Sequence, residues 1–433
     1  MTIAKSPKKT RAKSKPETAT KQRVNVPTQH EVRKGQATVH NTGVTVGETK
    51  HLVGETAGTS ESGSRSPQSE FARRVQGDPA QQNLTAGETA PNSTKAVEQI
   101  ITDRYAIYQG DCCELIRGLP DASVDYGIHS PPFEGLYKFS NYDRDISNSE
   151  GELFWEHYGF LIAELLRTAK PGRLHSVHCM QLPTSKNRNG FIGMRDFRGE
   201  IIRAYQAAGW IFHSEVCIWK DPVVAQQRTK SIRLLHKQIV KDSSLSGMGL
   251  ADYIVSFRKP GDNAAPISGM FDRFIGEPDE RVGGLDISQD AYAAYTRQMA
   301  IEEKKPWPLD MWRSVRVWQR YASPVWTDIR QTRTLQYRGG RDNKDEQHIS
   351  PLQLDVIERC VDLWSASGET VLTPFLGIGS EVYSSVDMGR KGIGFELKPS
   401  YFRQAVRNLA ELDKPPEARM FEDPAEEMEA EDA

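Results

Sequence analysis

The chain has 433 residues, with 56 Lys and Arg against 58 Asp and Glu, so its formal net charge is only −2. That length accommodates one large domain with an insertion, and no apolar run is long enough for a membrane helix or for the core of a secretion signal. The balance hides an asymmetry: the opening KSPKKTRAKSKPETATKQR is strongly basic, whereas the tail FEDPAEEMEAEDA holds seven acids and no base.

Residues 1–100 contain one aromatic side chain, Phe71, among Thr, Ser, Gly, Gln, Lys and Pro. Such a stretch has too little apolar surface to offset the entropy of ordering, so a disordered basic and polar region is expected there. The tail, 413–433, is expected to be solvated and disordered too. None of the five cysteines, Cys112, Cys113, Cys179, Cys217 and Cys360, belongs to a Cys-x-x-Cys pair, which suggests reduced core thiols in a cytosolic protein.

From Tyr105 short apolar runs alternate with amphipathic segments, the pattern of a parallel α/β sheet. YAIYQGD reads as a strand, CCELIRGLP as a short helix, and SVDYGIHS as the next strand. Its C-terminal end runs into Ser130-Pro131-Pro132-Phe133. Two prolines fix φ twice and remove two amide donors, and ligands of open α/β sheets bind beyond strand C-termini. ELFWEHYGFLIAELLRTAKPG reads as a helix, LHSVHCMQL as a strand, RGEIIRAYQAAGW as a helix and IFHSEVCIWK as a strand. His175 and His178 suggest no metal site, because a spacing of three on a strand puts the rings on opposite faces.

The alternation fades between about Asp221 and Asp345. QQRTKSIRLLHKQIVK supplies Arg228, Lys230, Arg233 and Lys237. A second block supplies Arg313, Arg316, Arg320, Arg330 and Arg333, interleaved with Trp312, Trp318, Tyr321, Trp326 and Tyr337. Arginines position phosphates and aromatics stack on splayed bases, so this region is expected to contact nucleic acid; the alternative is a solvated surface over a few core tryptophans.

The pattern resumes at SPLQLDVIERCVDLWS, a helix with Leu354, Ile357, Val361 and Trp364 on one face. GETVLTPFLGIGSEVYSSVDMGRKGIGFELKPS then reads as a strand, a turn at Gly377-Ile378-Gly379, a helix and a strand ending at Glu396. This is the logic of a nucleoside-binding βαβ unit, with an acid placed for ribose hydroxyls. Glu381 at the helix start would repel a pyrophosphate, whereas a nucleoside with a positive centre, such as S-adenosylmethionine, fits.

With those residues in that order, the chain resembles the amino-group DNA methyltransferases, which make N4-methylcytosine or N6-methyladenine. YQGDCCELIRGLPDASVDYGIHSPPF resembles the catalytic segment, VLTPFLGIGSEV the cofactor loop, and GIGFELKPSYFRQAVRNL the ribose-binding strand and following helix. The catalytic motif precedes the cofactor motif, which is the beta-type order. The resemblance implies a Rossmann-like α/β sheet of permuted motif order, with 101–220 as the catalytic half, 221–345 as an inserted target-recognition region and 346–412 as the cofactor half. It implies Ser130, Pro131, Pro132 and Phe133 as catalytic, and Asp111, Thr373, Pro374, Phe375, Gly377, Gly379, Ser380 and Glu396 as binding S-adenosyl-L-methionine. Double-stranded DNA with a flipped base is the implied partner, in the cytoplasm of a bacterial or phage-infected cell; a homodimer and a cognate restriction enzyme stay open. Ser130 favours N4 of cytosine over N6 of adenine. Thr373 departs from the family's usual Asp. Alternative readings are an inactive DNA-binding scaffold and an amine methyltransferase acting on RNA or protein.

Overall fold

A computed structural model describes residues 96–133, 145–149, 151–184, 186–223, 235–277, 286–340, 351–415 and 418–419. The basic N-terminal region up to residue 95 and most of the acidic tail lie outside the described residues, as do Arg228, Lys230 and Arg233.

The strands are β1 (Glu98–Ile101), β2 (Tyr105–Gln109), β3 (Val124–His129), β4 (Ala169–Met180), β5 (Leu182–Thr184), β6 (Gly193–Arg195), β7 (Ile211–Ile218), β8 (Asp252–Arg258), β9 (Val325–Trp326), β10 (Thr370–Thr373) and β11 (Lys391–Glu396). Nine form one sheet in the order β1-β2-β11-β10-β3-β4-β8-β7-β9, and β5 pairs with β6 apart from it. The run β2-β11-β10-β3-β4 is parallel, while β8 is antiparallel to both β4 and β7. This is the mixed, mostly parallel α/β sheet that the alternating pattern implies.

The last two strands in sequence therefore sit in the middle of the sheet. After β3 the chain moves to β4 on one side; after β10 it moves to β11 on the other. The crevice between β3 and β10 is thus a topological switch point, where the connections diverge and leave a gap above the strand ends. Val371 and Leu372 of β10 pair with Tyr126 and Gly127 of β3, which brings the Ser-Pro-Pro segment and the glycine turn to the same edge.

Helices cover both faces. The helix Glu152–Thr168 turns Phe154, Tyr158, Leu161, Ile162 and Leu165 into a core shared with Val177, Val255 and Phe257. On the other face the helix Leu354–Trp364 packs Leu354, Ile357, Cys360 and Val361 against Ile128, Val371 and Val382. Gly127 permits one close approach: a Cβ there would lie 1.9 Å from His175 Nδ1.

Three boundaries differ from the sequence expectation. Order begins before residue 101, because Glu98–Ile101 pairs antiparallel with β2. That strand is mostly exposed and has no apolar alternation to betray it. Inside the supposed insertion, β8 is a central strand and β9 an edge strand of the main sheet. An isolated strand with no helix after it leaves no α/β repeat in the sequence. Near the tail, order runs past residue 412, because Arg419 pairs with Asp387.

Candidate active site

Above the switch point lies a cavity of about 320 Å³. Its walls come from both halves of the motif set: Asp111 after β2, Ser130, Pro131, Pro132 and Phe133 after β3, Pro374, Phe375, Gly377, Ser380 and Glu381 after β10, and Glu396 after β11. Thr373 and Gly379 belong to the same turn but do not line the cavity.

The glycine turn is built for close approach. Gly377 has φ of 54° and Gly379 of 97°, conformations that penalise a Cβ. A Cβ on Gly377 would meet nothing within 4 Å, so its surface is open. The Gly377 amide donates to Glu396 Oε2 at 2.7 Å, and the Lys398 amide to Oε1 at 2.8 Å. Glu396 thus braces the turn while facing the cavity. Burial raises its pKa to about 7, against the opposing pull of those two amides. Asp111 caps the helix Cys112–Leu115 by accepting from the Cys113 amide at 2.9 Å.

The start of the next helix adds two groups, of which Ser380 is an expected ligand-binding residue and Glu381 is not. Ser380 Oγ is buried without a hydrogen-bond partner among the described residues. Glu381 is only 6% exposed, and burial lifts its pKa to about 8 with no counter-charge among the described residues to offset it. Thr373 is buried, and its hydroxyl donates to the Phe375 carbonyl at 3.3 Å. The departure from Asp thus falls on a residue that closes its own turn.

On the Ser-Pro-Pro side, Ser130 Oγ lies 2.8 Å from His178 Nδ1, and His178 Nε2 lies 3.0 Å from Asp252 Oδ2. Lys220 Nζ is 2.7 Å from the same Asp252 oxygen. Burial raises the Asp252 pKa, but the Lys220 ammonium and the His178 hydrogen bond outweigh it and hold the carboxyl at about 2. Phe133 meets His178 and Phe197 edge-on, at 6.4 and 6.3 Å between ring centres. His175 has a different partner set: its Nε2 lies 2.8 Å from His129 Nδ1, and His129 Nε2 lies 2.9 Å from the Tyr158 hydroxyl. Burial pushes the His175 pKa down to about 3 and that of His129 well below the usual imidazole range. This pair is a neutral, buried ladder under the site. His178 and Asp252 escaped the sequence reading because their link to Ser130 runs between three strands distant in sequence.

The basic and aromatic blocks need correction. Arg320 pairs with Asp328, Arg330 with Asp355, and Arg333 with both Asp355 and Glu358, at 2.6–2.8 Å. These arginines brace the helix Leu354–Trp364 and its surroundings instead of offering free charge. Trp312, Tyr321, Trp326 and Tyr337 are buried; Trp318, at 53%, is the exposed member of that set. Lys237 is exposed, and Arg316 lies over the Trp312 ring at 5.1 Å. Spacing alone could not separate these classes, because an arginine beside a buried carboxylate reads the same in sequence as one facing solvent.

The family model for DNA methylases of the N6/N4 type matches residues 124–407. The chain belongs to that family. Among curated proteins it is similar to the type II methyltransferase M.BamHI of Bacillus amyloliquefaciens, with 24% identity over 297 residues, which covers 68% of this chain and 55% of that protein. It is also similar to the type II methyltransferase M.MjaI of Methanocaldococcus jannaschii, with 22% identity, covering 69% of this chain and 89% of that protein. The chain thus spans about half the length of M.BamHI and most of M.MjaI. Of solved structures, TTHA0409 of Thermus thermophilus in complex with S-adenosyl-L-methionine has a TM-score of 0.45 at 18% identity, covering 72% of this chain and 96% of that one. The PvuII cytosine-N4-specific DNA methyltransferase has a TM-score of 0.40 at 15% identity, covering 70% and 85%. No helix among the described residues is long and apolar enough to cross a membrane.

The family's cofactor is S-adenosylmethionine, and the donor set suits it. Open backbone at Gly377, an orphaned Ser380 hydroxyl, and the buried carboxyls of Glu381 and Glu396 offer hydrogen-bonding groups to a nucleoside.

Proposed function

We propose that the protein is a site-specific DNA methyltransferase that methylates a base exocyclic amine, with N4 of cytosine as the favoured target. The observation that carries this reading is that the Ser-Pro-Pro-Phe segment and the glycine turn line the same cavity. Bound there, S-adenosylmethionine supplies an electrophilic methyl group. The chain's own part is to present the amine. An exocyclic amine is a poor nucleophile because its lone pair is delocalised into the ring. The base must leave the duplex, and its NH2 must be held so that the lone pair faces the methyl.

The Pro131 carbonyl and the Ser130 hydroxyl are the acceptors we assign to that NH2. Prolines keep this loop stiff and out of any strand ladder, so the carbonyl is left for the substrate. Phe133 offers a flat face for the flipped base. Glu396 and Asp111 take the ribose hydroxyls and the adenine amine, and the 374–380 turn closes round the nucleoside. Ser130 favours cytosine because an uncharged hydroxyl can accept from the N4 amine without the repulsion that a carboxylate would exert on the N3 lone pair beside it. Cys112 is buried with its thiol pKa well raised, so methyl transfer proceeds without a cysteine nucleophile. For DNA phosphates we assign Lys237, Arg313 and Arg316, with exposed Trp318 on the same helix as the two arginines.

Expression in a methylation-free host, followed by nucleoside mass spectrometry of its DNA, tests the reading. N4-methylcytosine is expected. N6-methyladenine alone overturns the base assignment; neither nucleoside, in a protein that still binds DNA, favours an inactive scaffold.

A further inference from the structure

Ser130 is one end of a hydrogen-bonded line that links the ends of four strands. Ser130 follows β3, His178 lies on β4, Asp252 opens β8 and Lys220 follows β7. Successive members are 2.8, 3.0 and 2.7 Å apart. All four line the cavity. Buried polar groups are costly unless satisfied, and this line satisfies each with the next. It also has a direction. The Lys220 ammonium keeps the Asp252 carboxylate ionised, so the carboxylate accepts from His178 Nε2–H. That tautomer leaves Nδ1 with a lone pair aimed at Ser130.

We propose that His178, oriented by Asp252 and Lys220, is a proton-relay residue acting through Ser130 in the methyl transfer. The inference rests on the functional reading above. In the step, the amine lone pair forms the new N–C bond while the S–C bond of the sulfonium breaks and its electron pair stays on sulfur. The nitrogen is then positively charged and carries one proton too many. That proton passes to Ser130 Oγ as the serine's own proton passes to His178 Nδ1, and the N–H electron pair returns to nitrogen. His178 ends doubly protonated, with Nε2–H on Asp252, and reverts by losing a proton to water when the product leaves. A serine hydroxyl is too weak a base to take this proton unaided, which is the chemical need that an imidazole behind it meets.

Among the described residues, the charged and titratable groups facing His178 are Asp252 from β8 and Lys220 from the segment after β7; Ser130 and Phe133 meet it from the loop after β3. This sets the pH behaviour. His178 must start neutral, so single-turnover transfer should fall on the acid side along a one-proton limb. Removing the Lys220 ammonium favours the imidazolium, so Lys220→Met should move that limb to higher pH.

The test is rapid-quench transfer of a labelled methyl from S-adenosylmethionine to unmethylated genomic DNA, with cofactor affinity measured separately by calorimetry. His178→Ala should slow transfer by about 100-fold or more, abolish the acid limb, respond to added imidazole, and keep cofactor affinity within about threefold. Transfer within about threefold of wild type, with the limb retained, overturns the relay and leaves the methyltransferase reading intact. If His178→Ala loses cofactor binding, Lys220→Met decides: an unmoved limb overturns the relay. No transfer by the wild type overturns the functional reading, and the relay with it.

Discussion

The two ends of the same central strands handle charge in opposite ways. At the N-terminal end of β3, β4 and β10, Asp125 receives Lys170 at 2.6 Å and Arg173 at 3.1 Å on one oxygen, and the Thr370 amide at 3.0 Å on the other. Arg173, 1% exposed, also pairs with Glu369. Charges there are matched and closed. At the C-terminal end, Glu381 and Glu396 have no such cation in direct pairing among the described residues, and burial lifts their pKa values to about 8 and about 7. At one end the carboxylates are paired by the chain's own cations; the other keeps buried carboxyls facing the cavity. A sheet of this kind is held at one end so that the other can stay unsatisfied.

Breaking the closed end should have the largest effect. Arg173→Met removes the cation that Asp125 and Glu369 share, leaving Lys170 on Asp125, and should cost about 3–5 kcal/mol, the scale for breaking a buried pair. The denaturation midpoint reads it, and a loss below about 1 kcal/mol would mean that the cluster is not what secures the strands.

Ser130→Ala at the open end should invert the outcome. Turnover should fall by about 100-fold or more, while the thermal midpoint and cofactor affinity stay near wild type, because the proposed role of the hydroxyl is to hold the reacting amine and not the cofactor. A parallel loss of cofactor affinity in calorimetry would place Ser130 on the other substrate.

Glu396→Ala should weaken S-adenosylmethionine binding by about 1.5–3 kcal/mol, the usual scale for hydrogen bonds to a charged group. Because the acid also holds the Gly377 and Lys398 amides, part of this loss should come from a loosened turn. Wild-type affinity in calorimetry would put the ribose elsewhere.

The smallest effect concerns pH and sharpens the contrast. A carboxyl raised from about 4.5 unfolded to about 8 folded keeps a proton that the unfolded chain has already lost. Its contribution is present below the unfolded value and is lost as pH rises towards the folded one. The buried histidines act in the opposite sense, but His175, with a folded value of about 3, is spent once pH passes the unfolded value of about 6.5. From about pH 6.5 to 8 the cofactor-free protein should therefore lose roughly 1–2 kcal/mol of stability through Glu381. Glu381→Gln should flatten that slope; an unchanged slope in denaturant titrations would show that the carboxyl is already ionised.

Much of this architecture could be read from sequence because it is local. Proline pairs, glycine turns and strand-terminal acids act through backbone constraints within a few residues, so the Ser130–Phe133 segment, the 374–380 turn and Glu396 were identifiable, as was the α/β alternation that carries them. The motif order was equally readable, and with it the permuted sheet. What depended on contacts between distant segments was not. β8 enters the sheet through pairing with β4 and β7, which no periodicity in its seven residues announces. Arg320, Arg330 and Arg333 look like phosphate ligands until the carboxylates of Asp328, Asp355 and Glu358 meet them. The line from Ser130 to Lys220 exists only because β3, β4, β7 and β8 bring their ends to one cavity. The residues able to serve a methyl donor and an amine follow from the order of the chain; which charges are already paired and which face the cavity follows from packing, since a charge is settled by neighbours within a few ångströms in space and not along the chain.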